Sequence, residues 1–162
     1  PNVQSALKGN AVYDPTQEAG RRFENLREVQ YVATWKPLKP FRLDPGYERV
    51  QRVKVSPQNL AAFVAGMSAL ETAIQEGGHE DFFNGVFMPI GGGSHEATTL
   101  MVRSVTRDES SMGLLFDEYF SGTATWAPTF DALQQAGGTL VSDTFEKCEQ
   151  FYFGKQILDP TN

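Results

Sequence analysis

FFNGVFMPI at residues 82–90, a glycine triplet at Gly91, Gly92 and Gly93, and EATTLMVRSV at residues 96–105 decide how this chain folds. Phe83, Val86, Phe87, Met88 and Ile90 before the glycines, and Thr98, Thr99, Leu100, Met101, Val102 and Val105 after them, are β-branched, aromatic or long apolar types that suit a pleated surface. The two runs read as a β-hairpin. Its connection, Gly91-Gly92-Gly93-Ser94-His95, is longer than the tightest hairpin loops, and its glycines can take positive φ without a Cβ penalty, so a mobile tip is expected. Glycines after a strand cradle phosphate where they open a helix; here a strand follows, which argues against a phosphate loop.

Upstream of the hairpin, Tyr47 to Val55 reads as a strand, with Tyr47, Arg49, Gln51 and Val53 alternating imperfectly against Val50 and Val55. Ser56 is a good N-cap and Pro57 suits a first helical position, where its missing N–H costs nothing. The helix that follows carries Leu60, Phe63, Val64, Met67, Leu70 and Ile74 at steps of three and four, and Gly77-Gly78 stops it. Downstream, Met112, Leu115, Phe116 and Tyr119 form a second helical stripe that Gly113 and Gly122 should keep weak or short. Thr125 can cap a further short helix with Phe130 and Leu133, closed by Gly137-Gly138. Thr139 to Phe153 alternates as a last strand with an aromatic face.

The order strand, helix, strand, strand, helix, strand places the chain in the α+β class, as a ferredoxin-like βαββαβ antiparallel sheet with helices on one face. The layout from Tyr47 to Phe153 resembles the dimeric α/β-barrel superfamily, which includes antibiotic-biosynthesis-type and haem-degrading monooxygenases; the resemblance is one of topology, with no shared motif. It implies that a second subunit covers the free face of the sheet, giving a homo-oligomer, a dimer or larger, with a small-molecule cavity. Phe82, Phe83, Phe87, Phe145, Phe151, Tyr152 and Phe153 exceed what two helices would hide, in keeping with an interface or pocket. The alternative is that they fill a single-chain core with an N-terminal arm folded over it.

Three regions follow: an arm and proline-rich linker at 1–46, the α+β domain at 47–154, and a tail at 155–162. Within the arm, Phe23 to Trp35 reads as a short helix or, from Glu28 onward, as a strand; Pro37, Pro40 and Pro45 then mark a linker. A segment this short cannot offset its ordering entropy alone, so Tyr31 and Trp35 are expected to lie against the domain or a neighbouring subunit, with Glu28 to Trp35 extending a sheet edge.

With 20 acidic against 14 basic residues and a net charge of -6, the chain lacks the positive field that nucleic acid requires. Its single cysteine, Cys148, excludes an intrachain disulfide, and no Cys/His spacing fits a metal, so neither metal nor cofactor is expected. No apolar run is long enough to span a bilayer, and PNVQSALKGN lacks the layout of a signal peptide.

Should the domain be an enzyme, His95 beside Glu96 is a candidate proton carrier or, without a ligand-spaced partner in the sequence, a metal ligand, and Asn84 a candidate amide for holding a ligand. Asn84 and Trp126 are of the residue types that the haem-degrading relatives use, although a tryptophan more commonly fills core or interface volume. His79 reads as a histidine at a helix C-terminus, Cys148 as a buried small apolar residue, and Arg103 as a lone charge needing an edge or a carboxylate. The composition fits best a non-catalytic α+β barrel that binds an apolar or aromatic ligand beneath the hairpin, with Phe87, Trp126 and Phe151 on the ligand. The alternatives are an assembly protein that uses its arm for subunit contacts and a cofactor-independent, monooxygenase-like enzyme.

Overall fold

In the computed structural model, residues 4, 31, 33–41, 46–96, 98–135 and 137–148 are described. They form an α+β unit with five strands and three helices: β1 Ala33–Lys39, β2 Gly46–Lys54, α1 Leu60–Glu76, β3 Phe83–Gly91, β4 Leu100–Thr106, α2 Glu109–Ser121, α3 Ala127–Gln135 and β5 Thr139–Cys148. The strand order is β1-β3-β4-β2-β5, and every neighbouring pair is antiparallel. A four-stranded sheet under two helices is thus too small a description. Both a leading edge strand and a third helix belong to the unit.

The leading strand corrects the arm reading in its details. Pro37 lies inside β1, opposite Phe87, where the linker was expected to begin. A proline removes one ladder donor, which an edge strand tolerates because one of its sides has no partner strand. Of the expected arm strand, residues before Tyr31 lie outside the described part. Tyr31 and Trp35 do meet the rest of the unit: the Tyr31 hydroxyl donates to Glu96 Oε1 at 3.0 Å, and the Arg52 guanidinium lies 5.0 Å from the Trp35 ring centre.

The helices form where their apolar stripes place them. A 3-10 turn, Pro57–Asn59, leads into α1, whose buried positions Phe63, Met67, Leu70 and Ile74 are those of the expected stripe. Ser56 makes no side-chain cap. Asp108 does: its carboxylate accepts from the Ser111 amide at 2.8 Å and starts α2, which runs 13 residues to a left-handed Gly122 despite Gly113. Leu133 of α3 rests against Gly66 of α1, where a Cβ would approach its Cδ1 to 2.8 Å, so the glycine is what lets these helices touch.

Alternation along the strands gives the sheet two unlike faces. Arg49, Gln51, Val53, Val86, Leu100, Val102 and Ser104 point toward the helices, and their apolar members join the core of Phe63, Met67, Leu70, Met112, Leu115, Trp126 and Leu133. On the other face, Glu48, Val50, Arg52, Gly85, Arg103 and Val105 are drawn together across β2, β4 and β3. Glu48 is only 1% exposed there.

Phe41 lies on this second face over Gly85, edge-on to Phe87 with ring centres 5.8 Å apart and 5.2 Å from the Arg103 guanidinium. A Cβ on Gly85 would overlap the Phe41 ring and come within 2.7 Å of Phe87. Gly85→Ala should therefore displace Phe41 and cost about 1 to 3 kcal/mol in denaturant unfolding, as overpacking does. A loss below about 0.5 kcal/mol, the range of uninvolved surface positions, would contradict this packing.

Candidate functional site

A cavity of about 360 Å³ opens between the helices and the strands β2, β4 and β5. Its size falls within the range of about 300 to 1,000 Å³ that small-molecule sites occupy. Its inner wall is the apolar core, from Phe63, Met67 and Leu70 of α1 to Val102 of β4 and Leu133 of α3. Rings from α2, α3 and the turn between them make one side: Phe116, Tyr119, Phe120, Trp126 and Phe130. Tyr119 stacks on Trp126 at 5.8 Å, and Phe130 meets both rings edge-on at 5.2 and 6.2 Å. Such offset and edge-to-face contacts hold aromatic walls in defined positions.

The polar groups on the cavity come mainly from the sheet. Asn84, Ser104, Arg49 and Phe145 lie in register across β3, β4, β2 and β5, and Ser104 and Arg49 of this row reach the cavity with Gln51. Arg49 sits 5.1 Å from the Phe116 ring centre and holds Asp143 in a fork, with Nε and Nη2 at 2.9 and 2.6 Å from its two carboxylate oxygens. Gln51 reaches the same carboxylate at 3.4 Å. Trp126 is 6% exposed, and its indole N–H is buried without a hydrogen-bond partner.

The opposite face is closed by charge. Arg103 forks onto Glu48 with both bonds at 2.6 Å, and Arg52 forks onto Glu96 at 2.7 and 3.0 Å. Burial opposes the Arg103 charge, but the bond to Glu48 and its negative charge outweigh it and hold the guanidinium above its ordinary value. The bond to Glu96 is the main reason that Arg52 is raised likewise. Arg103 is thus a central-strand arginine with the carboxylate that its surroundings demanded. Glu96 lies in the hairpin loop and is 2% exposed, so the tip expected to be mobile is tied to the sheet through this residue.

The residues singled out from sequence do not converge. Trp126 lines the cavity, whereas Phe87 lies on the ion-paired face against Phe41; Phe151 lies outside the described residues. Asn84 is fully buried and works as a clamp between β3 and α1: its amide donates to the Met67 carbonyl at 2.9 Å, and its backbone N–H to Glu71 at 2.6 Å. Lys39 of β1 joins the same Glu71 at 2.8 Å. His95 ends the 3-10 turn Gly93–His95, and its side chain is outside the described part. His79 is buried and bonds Glu118 of α2 at 2.8 Å, a tie between helix ends. Among the described residues no group of His, Cys, Asp and Glu is placed to hold a metal ion, and no helix is long and apolar enough to cross a membrane.

No protein-family model, curated protein or solved structure matches the chain. The cavity therefore rests on its own geometry. Arg49, Gln51 and Ser104 were not singled out from sequence, although the alternation of Tyr47, Arg49, Gln51 and Val53 already carried the signal: two polar residues share a face with an apolar one.

Cys148, at the end of β5, is half-buried, with its sulfur 3.9 Å from Arg103 Nη2. Burial, followed by the nearby Glu48, pushes its thiol up, against the opposing pull of Arg103. The thiolate should thus form later than in a free cysteine as pH rises. Alkylation by iodoacetamide is expected to reach half its plateau rate above the ordinary value of about 8.5. A midpoint at or below that of free cysteine would contradict the placement of this residue beside Glu48.

Proposed function

We propose that this domain binds a small, largely apolar molecule in the cavity between the helices and the sheet, without chemistry of its own. The observation that carries the reading is the cavity: about 360 Å³, walled by aromatic rings on one side and by the α1 core on another, with a few polar groups, chiefly Arg49 and Gln51 of β2 and Ser104 of β4. That is the composition of a recognition site, in which apolar walls supply affinity and a few polar groups fix orientation. Among the described residues no nucleophile and base face one another across it, since the polar lining they supply comprises Arg49, Gln51, Ser104, Tyr119, Trp126 and Gln134.

We read β2 to β5 with α1 and α2 as a ferredoxin-like unit to which β1 and α3 have been added. Without β1 the strand order is β3-β4-β2-β5, with the first and third strands of the unit at its centre, and this supports the reading. In a two-subunit barrel the ligand would lie on the free face of the sheet. Here that face holds the Arg103–Glu48 and Arg52–Glu96 pairs, and the space lies under the helices.

The neutral dye N-phenyl-1-naphthylamine should bind with a stoichiometry of one and gain fluorescence. Filling the cavity by Leu133→Trp or Val102→Phe should weaken it at least tenfold. Dye binding that survives both folded variants, or no binding to the wild type, would remove the cavity as the site.

A further inference from the structure

Exposure sorts the lining of the cavity by polarity. Among the described residues, its buried end is made chiefly of Phe63, Met67, Leu70, Ile74, Leu115 and Leu133, none more than 6% exposed, and Trp126 adds one polar atom to it, the indole nitrogen. The hydrogen-bonding side chains stand nearer to solvent: Arg49, Gln51 and Ser104 are half-buried and Gln134 is exposed. Phe120 and Leu140, lining residues that are 78% and 52% exposed, mark the mouth. Strand register brings the polar groups together. Arg49 faces Ser104 across β2 and β4, and Gln51, two residues further along β2, faces Asp143 of β5, so alternation puts them on the helix-side face of the sheet. The charges of Arg49 and Asp143 answer one another at 2.6 Å, whereas the Gln51 amide and the Ser104 hydroxyl are groups that both donate and accept.

We propose that the ligand is an amphipathic molecule, an apolar body with an uncharged hydrogen-bonding head such as a hydroxyl or amide, which enters apolar end first and keeps its head at the mouth beside Gln51 and Ser104. This rests on the cavity being the binding site. Each methylene placed against the buried end tightens binding about fourfold. A head carried to that end would give up its water among hydrocarbon side chains, which a polar group tolerates only when it is hydrogen-bonded. At the mouth the same head keeps water on one side and meets the Gln51 amide and the Ser104 hydroxyl on the other. A charged head gains less there, because Arg49 and Asp143 already neutralise each other.

The test uses two isomers, 1,2-octanediol, with both hydroxyls at one end, and 1,8-octanediol, with one at each end, to displace N-phenyl-1-naphthylamine from the intact chain. The 1,2 isomer is expected to bind at least tenfold more tightly, because the 1,8 isomer must carry a hydroxyl into the apolar end. In protein with ¹³C-labelled methyl groups, the terminal methyl of the bound 1,2 isomer should give nuclear Overhauser contacts to Leu70 and Ile74, and its C1 protons to the Gln51 side-chain amide. Octanoate and octylammonium should both bind more weakly than the 1,2 isomer. Equal affinity of the two isomers, a terminal methyl that contacts Leu140 instead of Leu70 and Ile74, or tighter binding of either ion would overturn the proposal while the bound dye leaves the cavity reading standing. So would a dye that binds and that neither diol displaces. If neither the dye nor 1,2-octanediol binds, the cavity reading falls and takes the amphipathic ligand with it.

Discussion

The bidentate pair between Arg103 and Glu48 is the constraint on which the rest of this structure depends. Both residues sit on central strands, and Glu48 is almost fully enclosed, a placement that a carboxylate tolerates only when paired and hydrogen-bonded. Removing Arg103 would strand the buried Glu48 charge, at a cost of about 3 to 5 kcal/mol. Because side chains alternate between faces, a one-residue slip of β2 against β4 would carry Glu48 into the helix-side core. The pair therefore fixes register as well as closing a face. Arg52 and Glu96 do the same at the far end of the hairpin, with Trp35 of β1 against the guanidinium and Tyr31 on the carboxylate.

With one face fixed by charge, the other can be covered less completely. α1 and α3 pack closely through Gly66 and Leu133, and α2 lies over β2 and β4. β5 extends beyond them, with Leu140, Val141 and Phe145 about half exposed. The cavity occupies the space between these two conditions: tight helix contact at α1 and α3, and an exposed last strand. Arg49 stands at the junction, with its charge committed to Asp143 and its flat face against Phe116.

Much of this layout was legible in the sequence because local signals agreed with one another. The stripe Phe63, Met67, Leu70 and Ile74 and the glycines after it specify α1 with no tertiary information. The apolar runs on either side of the glycine triplet specify β3 and β4 in the same way. Where the reading failed, tertiary context outweighed a local rule. Pro37 marked a linker by its chemistry, yet it sits in a strand because that strand is an edge. Gly113 argued for a short α2, but the Asp108 cap and the buried Met112 and Leu115 sustain it. The site was less legible than the fold. A cavity is the volume that side chains from several elements leave unfilled, and no single stretch records it. Trp126 was visible as a candidate from its type; that it would line a void together with Arg49, which lies 77 positions earlier in the numbering, depends on how α2 and α3 pack on β2.

The central claim is that a fixed apolar space exists under the helices, and xenon tests it most directly, because the atom enters dry apolar cavities without specific recognition. In crystals pressurised with xenon, the account predicts one principal site, bounded by Val102, Leu133 and Trp126, with the sheet and its Arg103–Glu48 pair unmoved. Xenon absent from this region in crystals that retain the fold, or bound only on the ion-paired face, would contradict it.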